Sequence, residues 1–375
     1  MINCNPVRVD TDGCDAVSAV LRSGVVARGP SITALEESFS QVTGVENAVA
    51  VANGTVALLL GGMVTGLSAG DTVLVPAFSF ASTANAFLSL GCKVVPVDVS
   101  AKSFNVDNNA LNMAISRYPE ARALVIVDLF GNTEGTDEAI STARQHGMVV
   151  IEDAAQALGV HDATGKPIGR RADVTTFSLY ATKNVFAGEG GVVVSPSREI
   201  TDRVRALADH QTVEVDGRRL IGLNYRMNEL GAALAVSQMP KLAAYVQCRR
   251  DRAGHLADAC AAAWHHNVVV PAEAAKLDGQ DAPRHVFHQF TVLASDAATR
   301  EALQERLRRC DVETRRFYPY ALSALAGMTE APVPVAEDLA TRCFSLPIAH
   351  SLTDIEFAAV LDAIKAAGPL ESEEV

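Results

Sequence analysis

The sequence lacks an excess of basic residues. Its 32 lysines and arginines are outnumbered by 44 aspartates and glutamates, which gives a formal net charge of −12. Nonspecific binding to nucleic acid or to an anionic membrane requires a basic surface, so this composition disfavours both. There is also no run of about 18 apolar residues that could cross a bilayer. Residues 1–6 have neither the basic segment nor the apolar stretch of a signal peptide, and we expect a cytoplasmic protein.

Cysteine and histidine motifs for metals are missing as well. The seven cysteines have no CxxC spacing, which is typical of reduced thiols rather than of a disulfide framework or a zinc site. Two histidine pairs, His265-His266 and His285 with His288, could suggest a metal site, but no further ligand follows at a suitable spacing. We therefore predict no metal site and expect these histidines on the surface or in a pocket.

The 375 residues are too many for one small core and fit one large domain with a smaller one attached. Between Asn47 and Val194, short β-branched runs alternate with helical stretches, a pattern typical of a mainly parallel sheet between helices. The predicted strands are Asn47–Ala52, Thr72–Val75, Lys93–Val97, Ala123–Val127, Met148–Glu152, Val174–Phe177 and Gly191–Val194.

Helices are predicted between most of these strands and on both sides of the sheet region. Three with clear ends are Pro30 to about Thr43, Thr55–Thr65 and Thr136–His146. After about Pro240 the predicted elements are a long helix Lys241–Ala263, a strand His285–Ala294, a helix Arg300–Arg309, a strand Val312–Arg316 and a helix Ile355–Ala367. We therefore predict a large domain at residues 1–240 and a small α+β domain at 241–375, with a solvated acidic tail at 371–375.

Two residues indicate the chemistry. Lys183 lies between apolar segments that would lower its pKa by desolvation, and a lysine amine can hold an aldehyde as a Schiff base. Asp153 ends the strand-like run that begins at Met148, where its carboxylate could hold a pyridinium nitrogen. Together they indicate pyridoxal phosphate. Each residue also has an ordinary interpretation, a solvated lysine and an aspartate that caps a turn or helix.

A turn at Asn53-Gly54-Thr55 joins a predicted strand to a predicted helix. Its backbone amides and the Thr55 hydroxyl could receive a phosphate dianion, and Ser178, after another strand, could donate to the same group. Since an Asn-Gly turn before a helix is common, this turn alone is a weak signal.

Four segments occur in a fixed order and together resemble the DegT/DnrJ/EryC1/StrS family of sugar aminotransferases, a branch of the fold-type I pyridoxal phosphate enzymes. The segments are Glu152–Ala157, Ser178…Lys183-Asn184, Gly188–Gly191 and Asn224–Glu229. The resemblance extends from Arg28-Gly29-Pro30 to Leu346-Pro347. It implies an α/β fold of the fold-type I aminotransferase class, in which a mainly parallel seven-stranded sheet lies between helices in a large domain and a small α+β domain follows.

The resemblance also implies roles at the cofactor. Gly54, Thr55 and Ser178 would bind the phosphate, and Gln156 would contact the ring hydroxyl. Phe80 would stack on the ring, although periodicity alone leaves Phe78 as an alternative.

Other implied roles concern the substrate and a second subunit. Arg28, Arg226 and Tyr318 resemble family segments near the substrate pocket. Asn224 resembles an asparagine that reaches the cofactor phosphate of the neighbouring subunit, which implies a homodimer with shared active sites. The alternative for Asn224 is a simple loop at the entry to a helix.

The function implied by the resemblance is amino transfer from glutamate or glutamine, through pyridoxamine phosphate, to a keto-sugar that is usually nucleotide-linked, in secondary-metabolite (antibiotic) or cell-surface sugar biosynthesis. Lys183 argues against the family variants in which histidine replaces the lysine and sugars are dehydrated. The alternatives are a cyclitol ketone or another secondary-metabolite carbonyl as acceptor, or a non-catalytic regulatory relative, which would require the loss of Lys183 or Asp153.

The sequence departs from the family pattern at several positions. Asn53 replaces the usual serine, Ala181 a common proline and Gln211 a glycine, and no histidine follows Tyr318-Pro319 where many relatives have one. These differences leave the cofactor motifs intact and concern acceptor recognition.

Overall fold

The computed structural model describes residues 1–271 and 284–368. Its main sheet has seven strands: β1 (Ala48–Val51), β2 (Thr72–Pro76), β3 (Lys93–Val97), β4 (Ala123–Val127), β5 (Val149–Asp153), β6 (Val174–Ser178) and β7 (Gly191–Val194). All seven strand predictions are confirmed, with ends that differ by no more than one residue.

The strands are arranged in the order β1-β7-β6-β5-β4-β2-β3. Strands β2 to β6 are parallel, whereas β7 is antiparallel to both of its neighbours, β6 and β1. Because β7 is antiparallel to both β6 and β1, β1 runs parallel to β6. The carboxyl ends of β1, β2, β4, β5 and β6 therefore meet at one edge of the sheet, which is where open α/β sheets bind ligands.

Helices cover this sheet, and β2 and β4 are buried along their whole length. The helices of this region are α1 (Thr11–Ser23), α2 (Pro30–Thr43), α3 (Gly54–Val64), α4 (Ser82–Leu88), α5 (Asn108–Arg117), α6 (Thr136–Gln145), α7 (Arg198–Ala208) and α8 (Glu229–Gln238). The three helices predicted with clear ends are confirmed as α2, α3 and α6. An exposed hairpin of β8 (Thr212–Val215) and β9 (Arg218–Ile221) lies between α7 and α8.

The C-terminal part of the chain builds a second core. It contains α9 (Leu242–Trp264), β10 (Val268–Val269), β11 (Phe290–Ala294), α10 (Ala297–Arg309), α11 (Pro334–Arg342), β12 (Cys343–Leu346) and α12 (Asp354–Ala367). Strands β10, β11 and β12 form an antiparallel sheet, and Trp264, Phe290 and Phe344 are fully buried in this core. A small α+β unit is thus present. The boundary at residues 240/241 stays a prediction, and the tail at 371–375 lies outside the described residues.

Two strand predictions in this part need correction. The predicted strand His285–Ala294 is shortened to β11, because residues 284–288 pair instead with the turn after β4: the Val286 and His288 amides donate to Gly131 and Phe130. The predicted strand Val312–Arg316 is wrong. Val312 forms a single bridge with Ile2 and Arg315 a single bridge with Ser345, so no continuous ladder forms along this segment.

None of the helices in the described parts of the chain is long and apolar enough to cross a membrane.

Candidate active site

The edge formed by the carboxyl ends of the parallel strands brings several predicted site residues together. Asp153 is the last residue of β5, Ser178 is the last residue of β6, and Gly54 lies just after β1. A Cβ atom at Gly54 would lie only 2.9 Å from the Ser178 Cβ atom, so the two residues are in direct contact. With Lys183, which follows β6, these residues form what we call the lysine group: Gly54, Asp153, Ser178 and Lys183.

Lys183 lies in a compact turn after β6. Its backbone amide donates to the Tyr180 carbonyl at 2.9 Å, and the turn is closed by hydrogen bonds from Leu179 to Gly190 and from Ala187 to Leu179, both 2.8 Å long. Desolvation lowers the pKa of the Lys183 amine to about 8, while the negative charge of Asp153 acts in the opposite direction. The amine is therefore available as a nucleophile and a proton carrier near neutral pH.

Asp153 is buried at the end of β5, and hydrogen bonds fix its carboxylate. Thr83 Oγ1 donates to Oδ2 at 2.8 Å, and the Ala155 amide donates to Oδ1 at 3.2 Å. Burial raises the pKa of Asp153, while these two hydrogen bonds and the charge of Lys183 lower it. A cationic pyridinium nitrogen would compensate for the buried charge, so the site fits the ring of pyridoxal phosphate.

Thr83 is a residue of the candidate site that the sequence reasoning missed. It is fully buried, and its hydroxyl joins Asp153 to the Ser79 hydroxyl, which lies 2.9 Å away. The only available signal was the series of hydroxyl residues after β2, Ser79, Ser82 and Thr83.

The turn after β1 fits a phosphate group. The Asn53 side chain caps α3 by accepting from the Val56 amide at 2.9 Å. Gly54 and Thr55 begin the first turn of α3, Gly54 lies against Ser178, and helix N-termini favour anions. The Thr55 hydroxyl donates to the Ser82 hydroxyl at 2.9 Å, which adds a second hydroxyl that the sequence reasoning did not assign. Because a Cβ at Gly54 would fill the space against Ser178, glycine is required for this close approach.

The two phenylalanines of the segment after β2 have different environments. Phe78 is fully buried in the core, whereas the Phe80 side chain is 58% exposed. The Tyr318 ring lies 5.9 Å from the Phe80 ring and 6.0 Å from the Phe78 ring, measured between centroids. Phe80 is thus the aromatic residue that is free to contact a ligand.

Gln156 is held at both ends of its amide. Oε1 accepts from the Phe130 backbone amide at 2.7 Å, and Nε2 donates to the Tyr318 hydroxyl at 3.0 Å. The structure therefore brings Gln156, Tyr318 and Phe80 together, although the sequence placed them in three separate motifs.

Arg28, Asn224 and Arg226 lie in a different group, organised by a residue that the sequence reasoning missed. Asp209 accepts from Arg28 at 2.9 Å, forms a short ion pair with Arg226, and pairs through its backbone with Asn224. We call these four residues the arginine group. Both arginines lower the pKa of Asp209, Arg226 more strongly. Among the described residues, no hydrogen bond or ion pair connects the arginine group with Lys183 or Asp153.

The remaining polar candidates are not part of the lysine group. Glu152 points to the opposite face from Asp153, where its carboxylate binds Arg171 and accepts from the Thr175 hydroxyl at 2.6 Å. His285 and His288 are buried rather than on the surface, while His265 and His266 are exposed. No cluster of metal-binding side chains occurs within residues 1–271 and 284–368.

The fold and the lysine group define a fold-type I pyridoxal phosphate-dependent aminotransferase. The model of the DegT/DnrJ/EryC1/StrS aminotransferase family matches residues 8–365, and the chain belongs to this family.

Individual relatives cover most of the chain. The sequence is 31% identical over 336 residues to a UDP-N-acetyl-3-dehydro-alpha-D-glucosamine 3-aminotransferase of Acidithiobacillus ferrooxidans, covering 88% of this chain and 87% of the relative. It is 30% identical over 351 residues to a protein of Geobacillus stearothermophilus named a pleiotropic regulatory protein, covering 92% and 91%. The crystal structure of DesI with its TDP-sugar product superimposes with a TM-score of 0.84 at 28% identity, covering 98% of this chain and 93% of DesI.

Proposed function

We propose that this aminotransferase binds pyridoxal phosphate through the lysine group and transfers an amino group from glutamate or glutamine to a nucleotide-linked keto-sugar. The observation that supports this most directly is the placement of a partly buried lysine amine, with a pKa lowered to about 8, at the same sheet edge as a buried carboxylate. Pyridoxal phosphate supplies an electron-withdrawing ring that can accept and pass on the amino group.

Each residue near the edge has a defined task in this proposal. Lys183 would hold the cofactor through its amine and would carry a proton to and from the reacting carbon of the substrate. Asp153, oriented by Thr83, keeps the ring nitrogen protonated. Gly54, Thr55 and Ser178 hold the phosphate.

The ring itself needs two further contacts. Phe80, whose side chain is exposed, would cover one face of the ring, and Gln156 would donate to the ring oxygen. Both contacts orient the ring without taking part in proton transfer.

Two observations support a nucleotide-linked acceptor: the nucleotide sugars of two relatives and the positive charges of two arginines. One relative acts on a UDP-linked sugar, and DesI was crystallised with a TDP-sugar. Arg28 and Arg226 form a basic site that could bind the phosphates of such a nucleotide, because guanidinium groups pair well with phosphate oxygens. The family residues that differ here, above all the missing histidine after Pro319, leave the sugar itself open, and a cyclitol ketone is the alternative acceptor.

A homodimer with shared sites completes the proposal. Asn224 is exposed and lies beside exposed apolar side chains, Ile221 at 69% and Leu223 at 52% exposure. Apolar side chains of this kind at the end of an exposed hairpin are favourable for burial against a second subunit. In that arrangement Asn224 would reach the cofactor phosphate of the partner.

A regulatory role is the second candidate, because the relative from Geobacillus stearothermophilus is named a regulatory protein. A regulator that only binds the cofactor has no need of a proton carrier. The retention of Lys183 with a lowered pKa, and of Asp153 with its hydrogen bonds, favours catalysis.

The test begins with purified protein and pyridoxal phosphate. We expect a visible absorption band at about 400–430 nm, which the cofactor supplies when it is bound to a lysine. Borohydride reduction followed by peptide mapping should place the cofactor on Lys183. Mapping to another lysine would refute the assignment.

The same preparation distinguishes enzyme from regulator. Addition of glutamate or glutamine should bleach the visible band, and a panel of UDP-, TDP- and GDP-linked keto-sugars and keto-cyclitols should then restore it for the true acceptor. A band that no amino acid donor bleaches would favour the regulatory candidate.

A further inference from the structure

The orientation of the Gln156 side-chain amide is fixed by its surroundings. A backbone N–H can only donate, so the contact of 2.7 Å between the Phe130 amide and Gln156 identifies the oxygen end of the side chain. The NH2 end must then face Tyr318, whose hydroxyl oxygen lies 3.0 Å from Nε2. One N–H of Gln156 is used at Tyr318, and the second N–H remains for another acceptor.

The backbone that fixes the oxygen end is itself held firmly. Phe130 is buried with a positive φ of 59°, and its carbonyl accepts from the His288 amide at 2.9 Å. The Gln156 amide therefore accepts at its oxygen from Phe130 and donates from its nitrogen to Tyr318. Two hydrogen bonds joined through one amide group polarise that group, which strengthens its N–H donors.

The acceptor of the Gln156 N–H is also fixed. The Tyr318 ring packs against Phe78 and Phe80, and burial is the main cause that raises the pKa of its phenol, so the hydroxyl stays protonated across the working pH range. Its oxygen therefore acts as a neutral acceptor for Gln156 in a defined place beside the exposed Phe80 ring.

We propose that Tyr318 is a positioning residue that holds the Gln156 amide so that its second N–H donates to the ring oxygen of the bound cofactor. This inference rests on the proposed function. The family resemblance places Tyr318 near the substrate pocket, whereas this inference gives Tyr318 a role at the cofactor, through Gln156.

The readout is the pH at which the visible absorption of the cofactor-loaded protein changes by half, measured without substrate. A hydrogen-bond donor at the ring oxygen withdraws electron density from that oxygen. The oxygen then binds the proton next to it less strongly, so the proton is released at a lower pH and the midpoint falls. Tyr318→Phe removes the acceptor that orients Gln156, so we expect the midpoint to rise by about 0.5–1 pH unit. Tyr320→Phe, a neighbouring exposed tyrosine outside the hydrogen-bond chain, is the matched control and should leave the midpoint unchanged.

Two further measurements show whether Tyr318 acts through Gln156. Gln156→Leu should raise the midpoint, and adding Tyr318→Phe to it should cause no further shift, because the two residues form one unit. A cofactor analogue without the ring hydroxyl should abolish the difference between the wild type and Tyr318→Phe. Additive shifts, or a difference that persists with the analogue, would overturn the inference.

The outcomes separate this inference from the proposed function. A wild-type protein without a visible band contradicts the proposed function and with it the inference. A wild-type band together with an unchanged midpoint in Tyr318→Phe contradicts the inference alone. Should Tyr318→Phe fail to fold, Gln156→Glu serves instead: it keeps an acceptor for the Phe130 amide but loses the donor and adds a charge, so an unchanged midpoint there also overturns the inference.

Discussion

The lysine group and the arginine group differ in how completely a single chain builds them. The lysine group lies on strand ends and helix starts of one sheet, and Asp153 is buried with two hydrogen bonds from its own chain. The arginine group lies on loops beside an exposed hairpin, and the Arg28 side chain is 56% exposed. The difference indicates that the proposed cofactor site is preorganised within one chain, whereas the proposed site for the phosphates of the acceptor depends on residues that a ligand or a second subunit would still have to complete.

The energetic consequences differ in the same way. Removing a partner from a buried, hydrogen-bonded charge costs more than breaking an exposed ion pair, which typically contributes about 0–1 kcal/mol. We therefore expect large effects from changes in the lysine group and small effects from changes in the arginine group, except where a change affects the proposed subunit interface.

The largest effect is expected for Lys183→Ala. Without the amine, amino transfer should fall by about 10³-fold or more, since proton transfer alone contributes about 10²–10⁴-fold. Cofactor binding should remain measurable by fluorescence or dialysis, because the phosphate and ring contacts are retained. Lys166→Ala, which changes an exposed lysine, is the control. Substantial residual amino transfer in Lys183→Ala would exclude the assigned role.

The second prediction tests whether the two groups belong to different subunits of one active site. Asn224→Ala and Lys183→Ala should each be weak or inactive as homodimers. In a mixed dimer one site carries both changes and the other carries neither, so a random mixture should recover up to about a quarter of wild-type activity. Activity should be measured after subunit exchange, with mixed dimers verified by native mass spectrometry. Verified mixed dimers that stay inactive would mean that Asn224 acts within its own chain or is only structural.

The difference between the two groups also explains what the sequence could predict. Periodicity predicted all seven strands of the main sheet, because buried parallel strands form continuous β-branched runs such as Ala123–Val127. It failed at Val312–Arg316, where β-branched and polar residues alternate but each end pairs with a different neighbour. Local pattern does not specify such long-range pairing.

The candidate site was predictable in its motifs but not in its connections. Asp153, Lys183 and the Asn53-Gly54-Thr55 turn stand out because of their positions after strands. Thr83 and Asp209 do not, because their importance comes from contacts with residues 70 and 181 positions away, Asp153 and Arg28. The contact of Tyr318 with Gln156 likewise arises from tertiary packing alone.

The third prediction concerns pH and the coupling inside the lysine group. The Lys183 amine must lose its proton before it can attack the cofactor aldehyde, and its pKa is lowered to about 8. The rate of cofactor capture by the cofactor-free protein should therefore rise with pH, reach half of its maximum at a midpoint near pH 8 and level off about one pH unit higher, whereas an ordinary lysine would continue to gain rate at higher pH. Stopped-flow absorbance provides the measurement.

Asp153→Asn tests whether the charge of Asp153 helps to set the pH midpoint of cofactor capture. The negative charge of Asp153 raises the pKa of Lys183, so its removal should move the midpoint to lower pH by about 0.5–1 unit. Asp251→Asn, on the exposed face of α9, should leave the midpoint in place. A shift to higher pH in Asp153→Asn would contradict the proposed electrostatic coupling.

The smallest effect is expected for Asp209→Asn, which removes the carboxylate that orients Arg28 and Arg226. Because these ion pairs are partly exposed, we expect KM for the nucleotide-linked acceptor to rise by only about two- to fivefold, with little change in kcat. Asp202→Asn is the control, because it removes an exposed carboxylate of α7, the helix that ends just before Asp209. This variant should not change KM. Asp209→Asn also removes one negative charge beside the two arginines. This change by itself would attract an anionic acceptor more strongly at low salt. A KM that falls at low ionic strength would therefore show that the arginines act through their overall field, whereas a rise that persists across salt concentrations would show that their orientation by Asp209 matters.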